Sequence, residues 1–421
     1  MYRVSSFVRH FARALLAGIA LAALWVNLSP DTYYDAIEFR LLDLPFPDGW
    51  TALPSSVTPL SVVTGGLMAL VLALLGKEFW EALVLESGTL RRPQGDGAKA
   101  RPALVPLAAV LGGAAGAVLV WRLMSAALPM PLESWPGAGW PVPIGADVVL
   151  AHAAGRAAFG PGHPALHLLL LITIAFDVLG LLIAGLTDPG AGLMPIWLLL
   201  PWAAVVAVWT YAGRHARPDA SERLKRRAAR LWPYALAGVI SWTGVTLSGL
   251  PGALGLLPLI PVIPHGSRTF GLFAEAEAHL HDPLNRLAQA AVLPVTAALF
   301  LFGLTHGGLD FGAGASTSLV TLAAFLVGKP LGLLAGIFAV LALGAATLPP
   351  RVSRTDLGKL AILSAMGFTI PALAMGSSLP GGAMTEAARL GLALTLLPGA
   401  GLALWSWARR KAAHRAAHKT T

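Results

Sequence analysis

Four ionisable side chains in this sequence stand inside long apolar runs: Glu78, Asp147, Asp177 and Lys329. Asp177 is the most isolated. It lies in Ile172-Thr173-Ile174-Ala175-Phe176-Asp177-Val178-Leu179-Gly180, and no other charge occurs between Leu166 and Leu186. A carboxylate near the centre of a bilayer costs about 2.5 kcal/mol or more, so a fold keeps one where it faces a water-filled cavity or a partner. The simplest chemistry for such a group is competition between a small cation and a proton for one carboxylate. The bland alternative is a buried acid satisfied by helix packing.

Asp147 follows Trp140-Pro141-Val142-Pro143-Ile144-Gly145-Ala146, and two prolines and a glycine at that place oppose a continuous helix. A second interruption falls at Met366-Gly367-Phe368-Thr369-Ile370-Pro371. Half-helix N-termini carry partial positive charge that Asp147 would offset, and half-helix C-termini carry partial negative charge suited to Lys329. Asp147 and Lys329 therefore either contact a substrate or only stabilise the breaks. Glu78, in Leu74-Leu75-Gly76-Lys77-Glu78-Phe79-Trp80-Glu81, lies near the inner end of its run. It is expected to line a cytoplasmic funnel mouth or to snorkel to the interface, as Lys77 is expected to do.

The elements that position these groups are helices. The chain has 421 residues, of which 56% are hydrophobic and 12% charged, with mean hydropathy +0.69. A soluble protein carries about twice that charge fraction, which makes this an all-α polytopic membrane protein formed as one transporter-like domain, 1–421. Continuous apolar runs rather than alternation argue against a β-barrel. Twelve spans are expected, at 11–28, 57–85, 103–127, 141–157, 164–187, 193–212, 231–247, 249–263, 286–304, 316–345, 358–376 and 384–408. The units 103–187 and 316–408 each hold three spans with the broken one in the middle. An odd number of spans per unit implies inverted repeats, and interrupted spans in matching positions point to a transporter's midplane site.

Charge placement sets the topology. With both termini cytoplasmic, every Lys and Arg outside the runs except Arg40, Arg122 and Arg389 falls on the inner side, as the positive-inside rule requires. The net charge of +9 is then a membrane signal. The cluster from Arg214 to Arg230 reads as a contact with anionic lipid rather than nucleic acid. The outer connection 29–56 is acidic, and Phe46-Pro47-Asp48-Gly49 marks a turn, giving either a small extramembrane β-hairpin or an irregular loop. Residues 91–101 form a basic linker, 264–285 a polar loop with His279 and His281, and 409–421 a cytoplasmic tail. The histidines His152, His163 and His167 are poorly placed for a metal site. The chain contains no cysteine, which removes disulfides and thiolate chemistry. It also carries no nucleophile elbow, P-loop or zinc-helix motif, so neither an enzyme nor a resident cofactor is expected.

Five strings carry a family resemblance: Leu75-Gly76-Lys77-Glu78, Pro143-Ile144-Gly145-Ala146-Asp147, Phe176-Asp177-Val178-Leu179-Gly180, Gly328-Lys329-Pro330-Leu331-Gly332 and Gly367-Phe368-Thr369. In order and spacing the chain resembles the bacterial NhaA-type sodium/proton antiporters over most of its length. That resemblance implies twelve helices with two inverted three-helix repeats, crossed discontinuous helices, and a homodimer aided by the outer hairpin. It also implies exchange of Na⁺ or Li⁺ for protons across the bacterial inner membrane. Four positions depart from the family pattern. Phe176 replaces the first of two adjacent aspartates, and Ala146 replaces a threonine. A pattern asparagine is lost near Phe300, and Ser248 stands where a pH-associated histidine is found.

The leading expectation is a cation/proton antiporter working by alternating access, with Asp177 as the shared carboxylate and Lys329 as its coupled partner. With Phe176 in place of an acid, Lys329 must pair with Asp177, bind backbone carbonyls or lose its proton. The alternatives are a non-transporting structural or regulatory subunit of the same scaffold, and a transporter of another substrate.

Overall fold

A computed structural model describes residues 7–43, 56–84, 104–128, 138–160, 162–187, 192–213, 222–265, 282–349 and 351–417. In chain order its helices are α1 (Phe7–Leu28), α2 (Pro30–Glu38), α3 (Pro59–Ser61), α4 (Met68–Val84), α5 (Leu104–Ala127), α6 (Val148–Phe159), α7 (Pro164–Thr187), α8 (Leu199–Val208), α9 (Glu222–Ala228), α10 (Trp232–Leu247), α11 (Pro283–His306), α12 (Ser316–Ala323), α13 (Lys329–Ala342), α14 (Arg354–Ser364), α15 (Thr369–Ser378), α16 (Gly382–Leu394) and α17 (Leu396–Ala417). Short turns of 3₁₀-helix precede α6 at Val142–Ile144 and follow α10 at Leu257–Val262.

Every expected span coincides with helical structure. Among the described residues, eight helices are long and apolar enough to cross a membrane, and α14 with α15, bent by 46°, makes a ninth. The other three expected spans are short for a physical reason. Pro141, Pro143 and Gly145 confine the fourth to α6, Ser248 ends α10 after 16 residues, and the eighth is a 3₁₀ turn carrying Pro261. Outside the helices, Leu42 pairs with Val57 and Asp43 with Ser56 in antiparallel register. The expected turn at Phe46–Gly49, the linker 91–101 and the His279-Leu280-His281 string lie outside the described residues.

The chain divides into two compact units. One is built from Thr89–Gly180 and Phe311–Thr421, the other from Ser5–Gly88 and Leu181–Asp310. The first contains both three-span segments singled out above, except residues 181–187. Its spine is the crossing of α5 and α13. Gly112 and Gly116 face Gly328, Gly332 and Gly336, and a Cβ on Gly112 or Gly332 would strike a carbonyl of the opposite helix. In lipid, where burial of apolar surface does not drive helices together, such close backbone approach supplies the packing. A π-turn at Ala324–Gly328 leads into Lys329-Pro330. Proline offers no N–H to the preceding turn, so the ladder widens there.

In the second unit, Gly18 and Gly303 bring α1 and α11 equally close. The buried Tyr33 ties this corner, donating to the carbonyls of Leu304 (3.0 Å) and Thr305 (3.1 Å). A π-turn at Val62–Leu67 frees the Gly65 carbonyl, which accepts from the Trp242 indole at 2.7 Å.

Candidate functional site

The site lies within the first unit, where two helices are interrupted. After the 3₁₀ turn Val142–Ile144 the backbone extends through Gly145, and α6 begins with Asp147 as its N-cap. The second break runs from Ala365 to Phe368, between α14 and α15. Each interruption strands N–H groups on one side and carbonyls on the other, in a place without bulk water to satisfy them.

Asp147 serves both starting half-helices. Its Oδ1 accepts from Leu150 N at 2.7 Å, capping α6, and its Oδ2 accepts from Thr369 N at 3.2 Å, at the first residue of α15. Its own amide donates to the Met366 carbonyl at 3.0 Å, locking the two breaks together. One fully buried carboxylate thus faces the positive ends of two half-helices, the arrangement in which an acid is stabilised by helix dipoles. Lys329 takes the opposite role. Its Nζ donates to the Gly145 carbonyl, where the first half-helix ends. The amine also lies 4.3 Å from the ring centre of Phe176 and 5.0 Å from that of Phe325. Cation–π attraction is worth about 2 kcal/mol when the pair is desolvated, and Lys329 has no exposed surface.

The Asp177 carboxylate is held at one end only. Its Oδ1 accepts from Ala146 N at 2.8 Å. Its Oδ2 is buried and has no hydrogen-bond partner among the described residues. No ion pair joins Asp177 to Lys329 among the described residues, so of the three fates open to the lysine, the carbonyl contact is the one found. The reason is steric and chemical. Phe176 offers a ring where an acid would have offered a charge, and the amine finds its oxygen on Gly145.

Sequence reasoning missed Thr395 and Phe325. The Thr395 hydroxyl accepts from Gly367 N at 3.2 Å and donates to Leu392 O at 2.6 Å, so it closes the second break from α16. Its only sequence signal is a hydroxyl in an apolar run. Phe325, four residues before Lys329, has the i, i+4 spacing that stacks side chains on one helix face.

The remaining candidates, Glu78, Ser248 and Phe300, belong to the other unit. Snorkelling is not what Glu78 and Lys77 do. Lys77 is 2% exposed and Glu78 3%. The ammonium lies 3.1 Å from Glu78 and 3.0 Å from Glu81 on its own helix, so the cation is neutralised where it stands and gains nothing by reaching outward. A cavity of about 520 Å³ beside it is lined by Lys77, Tyr234, Trp242, Leu74, Ile260 and Leu287. Ser248 ends α10: its hydroxyl donates to Val245 O at 2.7 Å and its carbonyl accepts from Met194 N at 2.9 Å. Around Phe300, it is Ala298 and Leu299 that turn inward, with no exposure. His163 stacks on Phe159 at 5.7 Å and accepts from Ala165 N. No cluster of three or more His, Asp or Glu suited to a metal ion occurs among the described residues.

A multi-pass helical membrane protein with two interrupted helices and compensating charges between them belongs structurally with secondary transporters. The comparisons narrow this. Residues 8–405 match the family model described as Na⁺/H⁺ antiporter 1, and the chain belongs to that family. It is similar to the Na⁺/H⁺ antiporter NhaA of Jannaschia sp. (strain CCS1), at 36% identity over 404 residues, covering 93% of this chain and 94% of the relative. Proteins of the same description from Geobacter sulfurreducens (31% identity, 93% of this chain, 98% of the relative) and Geobacter metallireducens (32%, 94% and 95%) are also similar.

Proposed function

We propose that this protein exchanges Na⁺ or Li⁺ for protons across a bacterial inner membrane by alternating access, with Asp177 as the shared carboxylate. One observation carries this reading. At the junction of the broken helices a buried carboxylate has one oxygen anchored on Ala146 N and the other without a hydrogen-bond partner among the described residues. The anchored oxygen fixes the group, and the free one takes either a proton or a cation. Asp147 has both oxygens engaged as caps and is assigned to positioning. Lys329 holds the end of the first half-helix and acts as the coupled titratable partner of Asp177, its amine placed on the Gly145 carbonyl. With Phe176 and Ala146 supplying no side-chain oxygen, the transported ion keeps part of its hydration shell, and affinity for a bare ion is reduced. The family membership and the names of the similar proteins support exchange over a non-transporting subunit.

The units 103–187 and 316–408 act as inverted repeats in this reading, with both termini cytoplasmic and the exposed arginines of α9 against anionic lipid. The strand pair Leu42–Asp43 with Ser56–Val57 is the element assigned to a homodimer contact.

The test is proton movement in proteoliposomes after addition of Na⁺, Li⁺ or K⁺. Wild-type protein is expected to respond to Na⁺ and Li⁺ and the D177N variant to neither. Absence of any response between pH 6 and pH 9 in folded wild-type protein sinks the reading.

A further inference from the structure

His152 lies in the middle of α6, is 1% exposed, and neither ring nitrogen has a hydrogen-bond partner among the described residues. Whichever tautomer it adopts, one N–H and one lone pair are buried unmet, and each such loss costs about 1–3 kcal/mol. An apolar residue would fit this helix more cheaply, so the imidazole calls for a use.

Its place relative to Asp177 follows from two contacts. A Cβ on Gly180 would lie 2.8 Å from Gly145 N, and one on Gly155 would lie 2.6 Å from the Leu169 side chain and 3.1 Å from that of Leu166. The α6 segment and α7 therefore run antiparallel, with 145 level with 180 and 155 level with 166–169. His152 falls level with about residues 170–173, one to two turns from Asp177, or roughly 6–10 Å along the axis. Thr173 lies at the near end of that interval, four residues before Asp177 and on the same face of α7. Thr173 is fully buried, and its hydroxyl donates to the Leu169 and Leu170 carbonyls, leaving its lone pairs to accept.

We propose that His152 is a proton-relay residue between Asp177 and the end of the unit where α6 gives way to α7, the cytoplasmic end by the charge bias. The proposal rests on the exchange reading above. In the step, the Asp177 carboxyl O–H bond breaks, a bridging water that donates to Thr173 passes a proton to one ring nitrogen of His152, and the N–H bond on the other nitrogen breaks to release a proton to water. One proton moves and no electrons do. The imidazole ends as its other tautomer, and rotation of the ring resets it. The charged and titratable groups carried by α6, α7 and the elements packed against them are Asp147 and Arg156 on α6, His163, His167 and Asp177 at or on α7, Lys329 on α13, Asp356 and Lys359 on α14, and Arg409, Arg410 and Lys411 on α17, of which Arg409 and Lys411 are exposed. Those at the release end are tied into the fold: Arg410 donates to Ala158 O at 3.1 Å, and Lys359 lies 5.7 Å from the Phe159 ring.

The experiment compares wild type with H152L and H152Q in proteoliposomes, reading Na⁺-driven proton flux over a pH series and, separately, Na⁺/Na⁺ counterflow at equal pH. The expected result is a fall of about tenfold or more in proton flux for both variants, with a flattened pH profile. Counterflow is expected to stay within about twofold of wild type, because the Asp177 carboxylate and its anchor are untouched. Free imidazole added to H152G is expected to restore part of the proton flux. Proton flux and pH profile unchanged in both variants overturn the relay while the exchange reading stands. An equal fall of both fluxes, or failure of both variants to fold, marks a structural histidine and also overturns it. A wild type with neither flux overturns the exchange reading and the relay with it.

Discussion

Asp147 reaches across 222 positions of sequence to the amide of Thr369, at 3.2 Å, while its other oxygen caps its own helix through Leu150. One side chain therefore sets the relative placement of two helix starts. D147A is expected to lose both caps, each worth about 1 kcal/mol, and to leave buried N–H groups unmet, which raises the total to about 2–4 kcal/mol. D147N keeps one acceptor oxygen and is expected to fall about midway. Thermal unfolding in detergent, followed by tryptophan fluorescence, ranks the three proteins. Equal stability of D147A and wild type would contradict the double cap.

For Asp177 the expectation is separable from stability. D177N retains an oxygen to accept from Ala146 N, so its melting temperature is expected to stay within a few degrees of wild type, while Na⁺-dependent proton flux disappears. Losing the titrating group removes exchange at every pH, not only at one end of the profile. Residual exchange in D177N above about 10% of wild type would move the carrier role elsewhere.

These two carboxylates were legible in the sequence because a charge within an apolar run has few reasons to exist, and Pro143 and Gly145 beside Asp147 supply one of them. The two helix breaks were legible because proline and glycine mark both of them. What was not legible is who satisfies whom. Thr395 closes the second break from another helix, yet a threonine in an apolar helix usually satisfies itself on its own backbone, so the sequence carries no mark of the Gly367 contact. Lys329 had three chemically sensible fates. The structure places its amine on the Gly145 carbonyl, between the rings of Phe176 and Phe325, and not on Asp177. Lys77 was misjudged from its position near the end of a run, although Glu81 one turn away already offered a partner.

The lysine's aromatic surroundings make a measurable claim. In a double-mutant cycle of F176L and K329M, the coupling is expected to be about 1–2 kcal/mol, the value of a desolvated cation over a ring. K329M alone is expected to cost more, about 2–4 kcal/mol, because the Gly145 carbonyl is left unmet as well. Chemical denaturation midpoints of the four proteins give the cycle. A coupling below about 0.3 kcal/mol would mean the ring is a bystander.

The buried trio of Lys77, Glu78 and Glu81 gives an asymmetric prediction. Breaking a buried ion pair from one side leaves an uncompensated charge, which costs about 3–5 kcal/mol, whereas replacing the whole set with neutral groups is close to neutral or stabilising. Lys77 is the hub, lying 3.1 Å from one carboxylate and 3.0 Å from the other. K77M takes the shared cation from two buried carboxylates at once and is expected to be the most damaging single change. E78Q and E81Q each leave the ammonium with a remaining partner and are expected to cost about 1–2 kcal/mol. The triple variant K77M/E78Q/E81Q removes all three charges together and is expected to melt well above K77M. Melting temperatures of the five proteins in one detergent test the order. A triple variant as unstable as K77M would show that the lysine stem packs irreplaceably against the neighbouring cavity, and that its charge balance is secondary.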